Sequence, residues 1–142
     1  MGFLDASALI KNYAEEQGRD EVRRVLERGD SAISRLTEVE VASGLMRRVR
    51  LGALSSADYA LALRTLRADL ADLRIVELVP QVTVLATTLL ERHPLRASDA
   101  VQLASCLYLR QHADEGVTLL AYDRRLNEAA AREGLALAGE EA

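Results

Sequence analysis

Residues Met1–Ile10 read MGFLDASALI. A short apolar run, Gly2–Leu4, ends on a carboxylate at Asp5. The small residues Ala6 and Ser7 follow and open an apolar-periodic stretch. The run reads as a strand delivering an acid at its end, just before a helix. Asp5 is then either a helix cap or a ligand for a cation. Which one depends on whether the arrangement recurs along the chain.

Period and punctuation give the remaining elements. The first helix is predicted through SALIKNYAEE, broken by Gly18. A second helix, RDEVRRVLER, carries Asp20 and Arg24 at i,i+4 and stops at Gly29. SAISR, with Ala32 and Ile33, reads as a strand, and a long helix is predicted from Thr37 to about Val49, closed by Gly52. Another helix begins at Ser55 or Ser56 and runs through YALALRTLRADL. RIVELV is a strand whose Val79 precedes Pro80 and is biased to extended geometry. Helix QVTVLATTLLER, a His-Pro turn and a helix from Ser98 through DAVQLASCLYLR come next. Strand VTLLAY, helix DRRLNEAAARE and a short strand LALA complete the order. Strands alternate with helices and no two strands sit close enough for a hairpin. The expected fold is α/β, a parallel sheet with helices on both faces.

Length and composition agree. The chain has 142 residues, 49% hydrophobic and 28% charged, the profile of one globular domain over 1–142. No apolar run approaches the ~20 residues of a membrane helix. The single cysteine, Cys106, reads as a buried small apolar residue and cannot make an internal disulfide. These features favour a cytoplasmic location and no membrane partner. A net charge of −4 argues against holding nucleic acid by bulk electrostatics. Arg47, Arg48 and Arg50 nevertheless form a basic cluster, and Lys11 is the one cation that is not arginine.

The acid-at-a-helix-start arrangement recurs. Asp5 follows the first strand, Glu40 lies in the first turn after the second, Asp99 starts the helix of LRASDAVQLAS, and Asp123 follows the fourth strand. Each has a plainer reading: Asp5 and Asp123 as caps, Asp99 as a helix-dipole partner, Thr37 and Glu40 as a T-x-x-E capping box. In a parallel sheet, however, strand ends and the helix starts after them share one edge, so acids distant in sequence can converge there. Crowded carboxylates repel unless a proton or a cation intervenes. Oxygen ligands without His or Cys suit Mg²⁺ or Mn²⁺. Periodicity does not decide between Glu38 and Glu40. On a wheel of residues 37–50, Val39, Ala42, Leu45, Met46 and Val49 form an apolar arc that includes Glu38, and Glu40 falls beside Ser43 and Arg47.

The four segments FLDASALIK, SRLTEVEVASGL, LRASDAVQLAS and AYDRRL, in this order and spacing, resemble the motifs of PIN-domain proteins. The likeness is to the VapC-type toxins of VapBC toxin–antitoxin pairs and covers nearly the whole chain. It implies a Mg²⁺- or Mn²⁺-dependent endoribonuclease whose catalytic acids are Asp5, Glu40, Asp99 and Asp123. Asp5 and Asp99 would be the principal metal ligands, Asp123 would complete the site, and Glu40 would hold a water or a second ion. Ser7 and Ser98 would orient the acids beside them, Ser98 alternatively being a helix cap. The family also implies products with 5′-phosphate and 3′-hydroxyl ends, tRNA or ribosomal RNA as substrate, a cognate antitoxin and a homodimer. Arg47, Arg48, Arg124 and the neighbouring Arg125 are candidate RNA phosphate contacts. The helices near 6–28 and 37–50, with Leu9, Ile10, Tyr13, Val22, Val25 and Leu26, could supply partner contacts or core. Aromatic residues make up only 4%, which disfavours base stacking as the main recognition mode. Two alternatives remain at this level: a PIN-type RNA-processing nuclease that is not a toxin, and a non-catalytic Mg²⁺-binding regulatory domain of the phospho-receiver kind. The latter is disfavoured because Ala6, not a second acid, follows Asp5 and no lysine follows Lys11.

Overall fold

Phe3 and Leu4 alternate across the first strand, and both are fully buried. A strand apolar on both faces needs cover on both, which places it inside a sheet between two helical layers. The computed structural model, which describes residues 1–138, has this arrangement. Strands β1 (Gly2–Leu4), β2 (Ser31–Ser34), β3 (Arg74–Val76), β4 (Thr118–Leu120) and β5 (Ala136–Leu137) form one sheet. Their order is β3-β2-β1-β4-β5, all neighbours parallel. Phe3 is in register with Ala32 on one side and Leu119 on the other.

Helices α1 (Ala6–Leu9), α2 (Arg19–Glu27), α3 (Thr37–Arg50) and α4 (Ser56–Asp69) cover one face. There Leu4, Leu9, Val22, Ile33, Leu45 and Leu66 form one core. Helices α5 (Pro80–Arg92), α6 (Ala97–His112) and α7 (Arg124–Arg132) cover the other, over Phe3, Leu89, Leu103, Leu119 and Leu126. The chain winds outward from β1 to β3 along the first face. It then crosses by α5 and α6 to β4, on the far side of β1. The strand order therefore reverses between β1 and β4, where sites of open α/β sheets form. The expected α/β class and parallel sheet hold; residues 139–142 of the expected domain lie outside the described residues.

Local start signals act as written. Pro80 opens α5 at a position where its missing N–H costs nothing, and the Ser55 hydroxyl accepts the Asp58 N–H at 3.0 Å to start α4. Several expectations are corrected by tertiary contacts. The first helix was expected to reach Glu16, but α1 passes into a 3-10 turn, Ile10–Asn12, and stops. Tyr13 is drawn away to Asp69 of α4, to which its hydroxyl donates at 2.6 Å. The turn itself sits so close to α3 that a Cβ on Gly44 would fall 2.5 Å from Ile10 Cδ1. RIVELV shortens to Arg74–Val76: Val76 still makes a sheet bond, accepting the Arg35 N–H, and beyond it Glu77 turns to the Arg35 guanidinium. VTLLAY shortens to Thr118–Leu120 because the Tyr122 N–H is taken by a side chain, Ser7.

The helical-wheel reading of α3 is also corrected. Its buried stripe is Thr37, Val41 and Leu45, whereas Val39 is 65% exposed. Helix α3 rests on both α1 and α4, so its inward direction is set by two neighbours. Glu38 lies 3.8 Å from Arg67 of α4. Among the residues considered for partner contacts, Leu9, Ile10, Val22 and Val25 are core, and Tyr13 and Leu26 are half-buried. Cys106 is buried. No described helix is long and apolar enough to cross a membrane.

Replacing Phe3 by Ala is expected to cost about 3–5 kcal/mol in urea unfolding, through the cavity left at the sheet centre. Val39→Ala is expected to stay within about 0.5 kcal/mol. Comparable losses at the two positions would contradict the burial described.

Candidate active site

The acids at the switch point are held first by backbone geometry. Asp5 ends β1 in extended conformation and caps α1, its Oδ1 accepting the Ala8 N–H at 3.2 Å and the Ser7 hydroxyl at 2.7 Å. The same Ser7 oxygen accepts the Tyr122 N–H at 2.9 Å. One hydroxyl thus ties the end of β1 to the segment leaving β4, immediately before Asp123. Asp123 caps α7, accepting the Leu126 N–H at 3.2 Å. Asp99 stands in the first turn of α6 and accepts the Arg96 N–H at 3.2 Å. Capping and convergence are not alternatives here, because the caps set where the carboxylates stand.

Glu40 is placed differently. Helix α3 starts at Thr37, so the threonine lies inside the helix and no T-x-x-E box forms. Instead Gln102 of α6 donates to Glu40 Oε1 at 2.6 Å and to Thr37 Oγ1 at 2.9 Å. Gln102 is buried and its own Oε1 has no partner among the described residues. Its amide faces the carboxylate because the reverse orientation would set two oxygens against each other. Gln102 was not singled out from sequence. The available signal was its spacing: it lies three residues after Asp99, on the same helix face.

The electrostatics run through all four acids. Asp5, only 5% exposed, has its carboxyl pushed from 3.8 up to about 7 by burial, against the lowering effect of its Ser7 and backbone hydrogen bonds and with help from Glu40. Glu40 is raised by burial and by Asp99, with Gln102 opposing. Asp99 is raised by burial and by Asp123, with the Arg96 N–H and the Arg96 and Arg125 charges opposing. The repulsions link Asp5 to Glu40, Glu40 to Asp99, and Asp99 to Asp123. Glu38 stands outside this row, beside Arg67.

Among the described residues, no three acidic, histidine or cysteine side chains are drawn together tightly enough to hold a metal ion as the chain stands. The acids form an open row, not a closed cage. By donor chemistry the row fits Mg²⁺ or Mn²⁺: oxygen ligands only, mutually repelling, one of them buried. Mg²⁺ commonly takes only one or two protein carboxylates and keeps its waters. His93 is buried but engaged with Glu133 at 2.6 Å, and His112 lies at the end of α6.

Beside the row lies an open groove of about 630 Å³, whose walls include Ser7, Glu40, Ser98, Arg47 and Tyr122. Helix α6 begins at Ala97, so Ser98 lies inside it and is not its cap. Arg48 is joined to Glu16 and donates to the Gly44 carbonyl at 2.9 Å. Arg124 is exposed and pairs with Glu128 one turn on. The arginines that act electrostatically on the acids are Arg96 and Arg125. Another depression, about 440 Å³, lies at the opposite edge near the starts of β2 and β3, away from the acids.

A PIN domain family model matches residues 2–132. Ribonuclease VapC45 of Mycobacterium tuberculosis (strain CDC 1551 / Oshkosh) is 34% identical over 137 residues, covering 96% of this chain and 93% of that protein. A toxin-antitoxin complex from Klebsiella pneumoniae contains a similar chain, with a TM-score of 0.63 at 21% identity, covering 87% of each. PAE2754 from Pyrobaculum aerophilum has a TM-score of 0.62 at 25% identity, over 96% of this chain and 82% of that one.

Burial of Asp5 has a consequence for stability. In the folded chain the carboxyl holds its proton up to about 7, whereas its ordinary value is 3.8. The folded state therefore binds more protons between these values. Stability falls as pH rises through that window, and the full cost is present above it. In EDTA at pH 8, Asp5→Asn, which keeps the acceptor for Ser7 and Ala8, is expected to stabilise the protein by about 2–4 kcal/mol. At pH 5 the gain should shrink. Thermal melts at the two pH values check this, and an equal gain at both would contradict it.

Proposed function

Because the chain belongs to the PIN-domain family and is of the VapC type, we propose that it is a divalent-metal-dependent endoribonuclease. In this reading it is the toxin of a toxin–antitoxin pair, acting in the cytoplasm. The observation that carries the proposal is the row of four carboxylates, each repelled by the next, at the switch point of the sheet. It occurs in a chain 34% identical to a ribonuclease. A phospho-receiver reading has no support from the family match.

Asp5, Asp99 and Asp123 are the residues that would hold Mg²⁺ or Mn²⁺, with Glu40 at the margin. When bound, the ion would withdraw charge from a phosphodiester oxygen and ease deprotonation of a water. The chain's own residues do the rest. Glu40 commits Oε1 to Gln102, which leaves Oε2 to accept or align the proton of the attacking water. Ser7 keeps Asp5 in one rotamer. Arg96 and Arg125 soften the repulsion that a polyanionic strand would meet at Asp99. The substrate is structured RNA, tRNA or ribosomal RNA, recognised through its backbone, since among the described residues the groove has a single aromatic wall, Tyr122. A cognate antitoxin and a second copy of the chain are the proposed protein partners. The toxin–antitoxin assembly of the similar Klebsiella chain supports the first.

Cleavage of total tRNA and ribosomal RNA with Mg²⁺ or Mn²⁺ is the expected activity, lost in EDTA and in Asp5→Asn and Asp99→Asn. Glu40→Gln should lose activity and Glu38→Gln should keep it. Gln102→Leu should cut the rate by roughly 10–100-fold, as orienting partners of ligand sites do. Growth arrest on expression of the wild type, relieved in Asp99→Asn, separates a toxin from a processing nuclease. Equal cleavage by the wild type and both Asp→Asn variants, or cleavage persisting in excess EDTA, would sink the proposal.

A further inference from the structure

The groove beside the acids has a cationic wall that is already occupied by an anion of the chain itself. Glu16 sits between two cations: its Oε2 is 3.3 Å from Lys11 Nζ, and its Oε1 is joined to the Arg48 guanidinium. All three side chains line the same groove as Glu40, Ser7 and Ser98. Both cations are fixed from behind. Arg48 donates its other nitrogen to the Gly44 carbonyl at 2.9 Å, and Lys11 Nζ lies 4.6 Å from the centroid of the Tyr122 ring. Lys11 is the sole lysine of the chain.

We propose that Lys11 and Arg48 form a clamp for a backbone phosphate of the RNA flanking the cleaved bond, and that Glu16 holds the place of that phosphate in the free protein. One carboxylate oxygen meets each cation, as the two non-bridging oxygens of a phosphodiester would. Lysine and arginine retain further donors for a tetrahedral anion, so the exchange needs no new protein group. Glu16 is free to leave because it lies in the irregular stretch between the 3-10 turn ending at Asn12 and α2 starting at Arg19. That stretch is tied at both ends. The Tyr13 hydroxyl donates to Asp69 at 2.6 Å, and the Tyr122 hydroxyl reaches Glu21 at 2.5 Å and the Gly18 carbonyl at 3.5 Å. Gly18 has φ +98, and a Cβ there would lie 3.1 Å from the Tyr122 ring. Glu16 can therefore swing while its loop stays in place. The identity of the anion as RNA rests on the nuclease reading; the existence of the anion site does not.

Two arms separate the two statements. In the first, thermal melts compare inorganic phosphate with chloride at equal ionic strength, without divalent metal. Glu16→Gln should gain a phosphate-dependent rise in Tm that the wild type lacks, and adding Lys11→Ala should abolish it. Glu16→Ala carries the same expectation should the glutamine variant fold poorly. In the second arm, a fluorescein-labelled RNA hairpin is titrated onto the cleavage-deficient Asp99→Asn protein over a range of salt. Adding Glu16→Gln should tighten binding about fivefold, the scale of one ion pair removed from competition. Adding Lys11→Ala or Arg48→Ala should weaken binding and lower the salt slope by about one each. Absence of a phosphate effect in both Glu16 variants overturns the clamp. So does RNA affinity that is unchanged or weaker in Glu16→Gln, if the parent protein binds. A phosphate effect with no RNA binding by any variant would leave the anion site standing and remove the nuclease reading.

Discussion

Strand β1 takes parallel hydrogen bonds from β2 on one side and β4 on the other, and the rest of the molecule is arranged around that pairing. Being central, it must be apolar on both faces, which Phe3 and Leu4 supply. Being the point where strand order reverses, it leaves a gap at its C-terminal end that no crossover helix covers. Asp5 is the residue that enters this gap. Its Ser7 partner fastens the neighbouring β4 exit through the Tyr122 N–H, so the two strands that flank the gap share one hydroxyl.

The acids that meet there are costly to the folded chain. Burial raises the carboxyls of Asp5, Glu40 and Asp99, and each is raised further by another member of the row. A fold selected only for stability would place an amide or an apolar residue at Asp5. The neighbouring groups moderate the charge without cancelling it: Gln102 on Glu40, the backbone N–H groups at the three helix starts, and Arg96 and Arg125 beside Asp99. Repulsion left over in this way is what makes an oxygen-lined row receptive to a divalent cation. The same principle operates in the adjoining groove with the opposite sign, where Lys11 and Arg48 share the single carboxylate of Glu16 and one positive charge is left over.

Much of this was legible in the residues. The strand–helix alternation predicted the parallel sheet, and the positions of Asp5, Asp99 and Asp123 relative to their helices followed from cap and strand signals. Where local reading went astray, a distant side chain had intervened. The first helix ends early because Tyr13 is bound by Asp69, fifty-six positions away. The fourth strand ends early because Ser7 takes its N–H. The wheel for α3 misjudged Val39 and Glu38 because that helix has two packing partners, and a single moment cannot point at both.

By itself the sequence determined the class of fold, the location of Asp5, Asp99 and Asp123 at helix starts, and, through the order of four motifs, membership of the PIN family. Those are properties of short stretches, carried by period, capping and spacing. Periodicity left open which acid of the TEVE stretch (Thr37–Glu40) joins the row, the motif resemblance named Glu40, and the tertiary structure shows why it joins. Glu40 does so because Gln102, from a helix sixty-two positions on, reaches it, while Glu38 is turned to Arg67. Likewise the arginines of 47–50 are alike in sequence, and only packing commits Arg48 to Glu16. Hydrogen bonds and ion pairs between elements depend on where whole helices come to rest, which no local pattern encodes.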